Sequence, residues 1–277
     1  MSEPSARTDG AAEPVGSAPV FEKIDTFKSW EEDYYHPLAE RYYDRAIPDM
    51  LRWMGTQPGD LVLDAGCGPG VHSIRAAKFG CRVHAIDISQ TVLAEAERRA
   101  AQAGVSEQIL FQQADLTKLP FEDATFERVF SWGVIIHVPA IEAALRELAR
   151  IVKPGGHLAL FVTNSQALDY RMLGLGRALL RKPRLPLERR PMGWGCEFTY
   201  HGEALWVWRV DVAAVSRLLG ELGLRRERRI AGQFSELQRR MRGLPRRAVL
   251  HWNNLWYNLG LPAWPSVANL LIYRKDA

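Results

Sequence analysis

Cysteine is scarce in this 277-residue chain: Cys67, Cys81 and Cys196 are the whole complement, an odd number without CxxC spacing. That argues against a disulfide framework or a zinc ribbon and fits a reducing compartment. Long apolar runs are missing as well. No window approaches the roughly 18 uncharged apolar residues that a membrane-spanning helix needs. Residues 1–20, "MSEPSARTDGAAEPVGSAPV", hold no basic stretch followed by an apolar one, so they predict a disordered tail rather than a secretory signal. A cytoplasmic protein is the expectation. Histidines and acids are not clustered at ligand spacing, and no metal site is expected.

What is present suits a globular domain: 47% apolar, 25% charged and 10% aromatic residues can bury one substantial core, with or without an added cap. The net charge of +4 is unevenly spread. Residues 165–191 hold seven Arg/Lys against two acids, and residues 223–247 hold nine against two, which leaves the rest of the chain net negative. Such basic runs are either solvated faces or sites for an anionic partner: a phosphorylated substrate, a membrane surface or a nucleic acid.

Between residues 61 and 162 short apolar runs alternate with helical periodicity. "LVLDA", "CRVHAID", "QILFQQAD", "FERVFSW" and "HLALFV" read as five strands. A helix over residues 71–79 closes at Gly80. Another, capped by Ser89, runs towards Ala103 and Gly104, and a third carries Ile141, Leu145, Leu148 and Val152 before Pro154-Gly155-Gly156 turns the chain. Strands alternating with helices predict a parallel sheet covered on both faces, with ligands bound beyond the carboxyl ends of the strands. Asp64, Asp87, Asp115 and Ser131 all fall at or just after those ends. Residues 164–208 break the rhythm with Pro183, Pro186 and Pro191 and an aromatic end, "FTYHGEALWVW", as a lid or substrate element would. A helix over residues 211–222 and strands in "LRRERRIAG" and "NLLIYRK" follow. The predicted divisions are a tail (1–20), an N-terminal helical lid (21–57), a core (58–163), an inserted cap (164–208) and a C-terminal part of the sheet with an aromatic-basic cap (209–277).

In "DAGCGPG" three glycines and Asp64 surround Cys67 and Pro69. Glycine permits positive φ and leaves room for a ligand to lie across the backbone. The dinucleotide pattern GxGxxG is the rival, but Val71 stands where its last glycine would be. "VLDAGCGPG" resembles the first motif of the class I S-adenosylmethionine-dependent methyltransferases. "VHAIDIS", "QADLTKLPF" and "LRELARIVKPGGHLAL" resemble the family's later motifs, in order, over roughly residues 58–163. The resemblance implies a Rossmann-like α/β fold with a seven-stranded, mostly parallel sheet, helices on both faces, an antiparallel last strand and an inserted cap.

It also implies S-adenosylmethionine as cofactor. Gly66, Cys67, Gly68 and Gly70 would pass beside its methionine part, and Asp64 would help bind the ammonium. Asp87 would accept from both ribose hydroxyls and Asp115 from the adenine amino group. Ile88 and Leu116 would sandwich the base, and Ser131 and Trp132 would reach the methionine portion and face the acceptor. A hydroxyl or neutral-amine acceptor must lose a proton, which invites a general base. His137, in "WGVIIHVP", is the candidate, and the alternative is that it ties its loop to the next helix. Relatives close an N-terminal segment over the cofactor, a role open here to Trp30, Tyr34, Tyr35, His36, Tyr42 or Tyr43, as is plain packing.

After Ser131-Trp132 the chain reads Gly133-Val134, without the Asn/Asp-Pro-Pro-aromatic signature of amino methylation on adenine or glutamine, and the Pro-Cys pattern of cytosine enzymes is missing. Trp252, Trp256, Tyr257 and Trp264 stand beside the arginine-rich segment, as a bulky-acceptor pocket, a membrane-interface element or a packed cap would have them. The expected function is methyl transfer to oxygen of a small acceptor, lipophilic or anionic: a natural product, a sugar or a lipid-linked intermediate. Nucleic acid is disfavoured as a partner, and peripheral membrane contact stays open. The alternatives are an RNA methyltransferase using the basic segments, a dehydrogenase, and a cofactor-binding regulator without turnover.

Overall fold

A computed structural model of the chain describes residues 18–23, 37–183 and 185–277. Most of the predicted tail, and the lid candidates Trp30, Tyr34, Tyr35 and His36, lie outside the described residues.

In chain order, the single turn α1 (Ala18–Phe21) and helix α2 (Pro37–Trp53) precede β1 (Leu61–Ala65), α3 (Val71–Lys78), β2 (Arg82–Asp87), α4 (Gln90–Gln102), β3 (Ile109–Gln113) and β4 (Phe126–Trp132). Then come α5 (Ile141–Ile151), β5 (Val152–Thr163), α6 (Leu168–Leu179), β6 (Glu188–Arg190), β7 (Gly193–Tyr200) and β8 (Glu203–Val210). The chain ends with α7 (Val212–Glu221), β9 (Leu224–Gln233), α8 (Gly243–Asn258) and β10 (Ala268–Lys275). Seven strands form one sheet in the order β3-β2-β1-β4-β5-β10-β9, in which β10 alone runs antiparallel to both neighbours. This is the mostly parallel sheet that the alternation of strand and helix signals predicts, in the Rossmann-like arrangement that the family resemblance implies. Strands β6, β7 and β8 form a second, antiparallel sheet.

Both faces of the large sheet are buried, which is why its strands read as nearly unbroken apolar runs. Leu63, Leu158, Leu160 and Tyr273 point into one core with α5 and α7. Val62, Ala159, Phe161 and Ile272 point into the other with α2, α3, α4 and α8. Two predicted helix starts depend on local side-chain caps. The Ser89 hydroxyl accepts from the Val92 N–H (3.2 Å), and the Asp211 carboxylate accepts from the N–H groups of Ala213 and Ala214.

Strand β5 departs from expectation. The turn predicted at Pro154-Gly155-Gly156 lies inside the strand, whose pairing with β4 begins at Val152 and resumes at His157. The intervening residues bulge because Gly155 takes φ +74 and Gly156 sits so close to β4 that a Cβ would approach the Glu127 carbonyl to 2.8 Å. The helix α5 therefore ends directly at a strand, and its last carbonyls need an outside donor. Lys275 of β10 supplies it: its ammonium donates to the carbonyls of Ala149 and Val152, each at 2.8 Å. Replacing Lys275 by Met removes these bonds and a cation at a helix C-terminus, and should cost about 1–2 kcal/mol, since the ammonium keeps partial solvent contact. Urea denaturation followed by circular dichroism measures it.

Candidate active site

The loop after β1 is tied down by its own N–H groups. Those of Gly66 and Cys67 both donate to the Ile86 carbonyl (2.8 Å each), and that of Gly68 donates to Asp87 Oδ2 (2.9 Å). Gly66 has φ +87, and a Cβ there would lie 2.4 Å from the Val134 side chain, so glycine is required for both conformation and space. Gly70, at φ +76, is the N-cap of α3 and packs against Ala96 of α4. Three successive donors of the bend are thus spent inside the protein, which leaves it poorly equipped to cradle a pyrophosphate.

A cavity of about 380 Å³ opens beyond the carboxyl ends of the strands. Asp87, Ile88, Asp115 and Leu116 line it at the ends of β2 and β3, and Gly66, Cys67 and Gly68 line it at the bend. Trp132 and His137 line it on the side of β4 and β5, where Trp132 stacks flat on Phe161 with ring centres 4.2 Å apart. Three of the predicted residues do not reach the wall. Asp64 is 1% exposed and accepts from the Ser73 hydroxyl (2.6 Å), Ser131 donates to the Ala65 carbonyl (2.8 Å), and Gly70 is turned to α4. Tyr43 lines the cavity; Tyr42 is buried beside it, edge-on to Tyr257.

The electrostatics are set by burial. Asp64 is pushed up to about 7 by desolvation, with the Ser73 hydroxyl pulling the other way and the neighbouring Asp87 adding to the rise. Asp87 is also raised by burial, against the N–H donors of Ser89 and Gly68. Among the described residues neither carboxylate has an ion-pair partner, so this end of the cavity favours a ligand bringing positive charge or hydroxyl donors. Asp115 is exposed and accepts from the N–H and hydroxyl of Thr117.

His137 follows β4 in a 3-10 turn and is half-buried. Its Nδ1 lies 3.1 Å from the Trp206 carbonyl, which can only accept; the neutral ring therefore carries its hydrogen on Nδ1 and its lone pair on Nε2. Burial lowers its pKa to about 4. Trp208 Nε1 donates to the Val138 carbonyl (2.9 Å), so β8 braces the His137 turn twice.

Sequence reasoning missed several residues on the wall. His72, 8% exposed, sits edge-on to Tyr43 with ring centres 5.0 Å apart. Its signal was a polar ring at the first helical turn after the glycines. Gln233 arrives from the end of β9 and Glu236 from just after it, with no local signal. Phe21 lines the cavity from α1, held by a bond from the Ser89 hydroxyl to its carbonyl (2.8 Å).

A glycine bend after β1, acids at the next two strand ends and the sheet order β3-β2-β1-β4-β5-β10-β9 belong to a Rossmann-like domain. Residues 62–156 match the family model described as a methyltransferase domain. This domain is similar to those of the class I S-adenosylmethionine-dependent methyltransferases. It is 30% identical over 158 residues to a sterol 24-C-methyltransferase of Gibberella zeae, covering 49% of this chain and 42% of that one. It is 39% identical over 139 residues to the 27-O-demethylrifamycin SV methyltransferase of Amycolatopsis mediterranei, covering 47% and 51%. The chain thus spans about half the length of the curated relatives it matches. Its fold is similar to that of the magnesium protoporphyrin IX methyltransferase of Synechocystis PCC 6803, with a TM-score of 0.61 at 19% identity over 94% of this chain and 98% of that one.

The two inner glycines should respond differently to alanine. At Gly66 the left-handed backbone alone costs about 1–2 kcal/mol, and overlap with Val134 adds to it, so Gly66→Ala should lower the melting temperature by several degrees. A Cβ at Gly68 meets nothing within 4 Å. Gly68→Ala should melt closer to wild type, bearing the backbone cost alone, yet obstruct the cavity. Thermal melts paired with calorimetric titration of S-adenosylhomocysteine separate the two effects.

Proposed function

We propose that the protein transfers the methyl group of S-adenosylmethionine to a hydroxyl oxygen of a small-molecule acceptor. The observation that carries this reading is the pair of carboxylates, the buried Asp64 and the half-buried Asp87, beside a bend whose N–H groups are already committed. A dinucleotide would bring a pyrophosphate to that place and meet two acids. A nucleoside with ammonium and sulfonium charges and ribose hydroxyls meets acceptors. The side-chain-free surface at Gly68 gives it room.

Asp87 would hold the ribose, Asp115 and the Leu116 N–H the adenine edge, and Ile88 and Leu116 its faces; Asp64 would act from behind the bend on the ammonium. Bound there, the cofactor supplies a methyl group already activated by its sulfonium. What remains for the chain is to orient the acceptor and take its proton. Trp132, Phe161 and Tyr43 give the β4–β5 side a flat, dry wall that excludes water. His137 Nε2 takes the hydroxyl proton, and the Trp206 carbonyl steadies the imidazolium formed. Relatives named for a sterol and for a rifamycin support a small acceptor over a nucleic acid.

Asp87→Ala should weaken S-adenosylmethionine binding about 10- to 100-fold by calorimetry, the worth of losing one or two charge-assisted hydrogen bonds. Unchanged affinity removes Asp87 from the site. Isotopically labelled cofactor incubated with fractionated metabolites, with products read by mass spectrometry, identifies the acceptor. With that acceptor, His137 must be neutral to act as a base, and its lowered pKa means that activity persists on acidification well below pH 6.5 and falls only towards pH 4. An acid limb near 6.5, or full activity of His137→Ala at every pH, returns His137 to a structural role.

A further inference from the structure

Helix α6 faces the wrong way for a surface helix. Leu168, Met172, Leu175 and Leu179 recur at i, i+4, i+7 and i+11, which places them on one stripe. A stripe of this kind normally faces the core, yet here these residues are 40%, 62%, 62% and 75% exposed, and no residue of α6 is buried. The polar side is the one turned inward. Asp169 accepts from the Ser235 hydroxyl (2.8 Å) and the Glu236 N–H (2.9 Å), and the Tyr170 ring lies against the Arg209 guanidinium at 4.0 Å. Placing the helix so leaves leucines in water, a cost that an apolar neighbour would cancel.

The apolar surface does not end with α6. Its first N–H, of Leu168, donates to the Pro265 carbonyl (2.9 Å), next to Trp264, which is 55% exposed. Helix α8 adds Trp252 and Leu255, 44% and 45% exposed. Around these residues the charge is basic. Arg171, Arg181 and Lys182 are exposed in and just after α6, and Arg240, Arg242 and Arg247 are exposed in the stretch that leads into α8 and its first turns.

We propose that this face seats the protein on an anionic lipid bilayer, with the α6 stripe and the exposed tryptophans at the acyl boundary and the arginines among headgroup phosphates. Charge selects this occupant. A second copy would set the same basic segments against each other, and RNA offers nothing to a stripe of leucines, which do not stack on bases. Docking here also names the acceptor class. The Asp169 bonds anchor α6 beside Glu236, which lines the cavity, so the cavity rim adjoins the docked face. The acceptor is then an amphiphile held in the bilayer that presents its hydroxyl to the cavity. That last step rests on the methyl-transfer reading; the docking does not.

The test is flotation of the full chain with phosphatidylcholine vesicles, with and without about 30% phosphatidylglycerol, at low and high salt. Binding should be at least about tenfold stronger to the anionic vesicles and weaken with salt. The double variant Met172→Glu, Leu175→Glu should bind them at least about tenfold less, with an unchanged melting temperature and unchanged affinity for S-adenosylhomocysteine, because neither side chain is buried. Absence of vesicle binding, equal binding by the variant, or a solution dimer that the variant dissolves each overturns the docking. So does salt-sensitive binding to RNA that lipid does not compete. If vesicles bind as expected but S-adenosylhomocysteine does not, the docking stands and the amphiphilic acceptor is withdrawn.

Discussion

A single hydrogen bond, from the Gly68 N–H to Asp87 Oδ2, joins the parts on which the cavity depends. Glycines hold no conformation by themselves; a bend with three residues at positive φ must be fixed from outside. Asp87 does this from the end of β2, and its other oxygen accepts from the Ser89 N–H (3.1 Å). Ser89 in turn caps α4 and donates to the Phe21 carbonyl. One carboxylate therefore sets the bend, the start of a helix and, one residue further, the turn that brings an aromatic ring over the cavity beside His137. Its position at a strand end is what gives it this reach, since the sheet fixes the carboxylate before any loop is ordered.

The arrangement carries a cost in the absence of ligand. Asp64 is buried and Asp87 half-buried with no cation beside them among the described residues; desolvation raises the pKa of both, helped at Asp64 by the Asp87 charge and at Asp87 by the Glu22 charge. The same desolvation makes them strong acceptors once a positive charge or a pair of hydroxyls arrives, because interactions in a dry site are less screened. An acid near 7 is useful for this. Asp64 can be neutral while the site holds no cation and ionise as one binds, so the unliganded fold does not carry the full penalty of a second buried charge. On the proposed reading Asp64 would act from behind the wall, through the field it exerts, since its carboxylate is held by Ser73.

What the sequence made legible was local. The cap at Ser89, the helix starting at Asp211, the strand ends carrying Asp87 and Asp115, and the bend at residues 66–70 each depend on residues a few positions apart, and each stands where periodicity and turn chemistry put it. Apart from His72, the residues named above as missed on the cavity wall come from far away in the chain. Phe21 reaches it through a bond to Ser89, Glu236 through the docking of α6, and the bracing of His137 depends on β8, 69 residues downstream. Pattern reading also assumes that an apolar stripe faces the core. In α6 the stripe is present and the orientation is reversed, because Asp169 and Tyr170 find polar partners on the protein side. Periodicity finds a face; it does not say which medium the face meets.

The division of charge along the chain follows from these two demands. A cavity that binds a cationic nucleoside needs acids and few competing bases nearby, whereas a surface that meets phosphates needs the reverse. Mixed over one surface, the two sets would cancel. Here the basic residues are concentrated in segments 165–191 and 223–247, after the acids of the bend and of the first three strands have been placed. Exposed charges are screened over about 8–10 Å at physiological salt, while buried ones are screened far less. The arginines around α6 would therefore act on a headgroup plane outside the protein without weakening the hold that Asp64 and Asp87 would have on a positive ligand inside it.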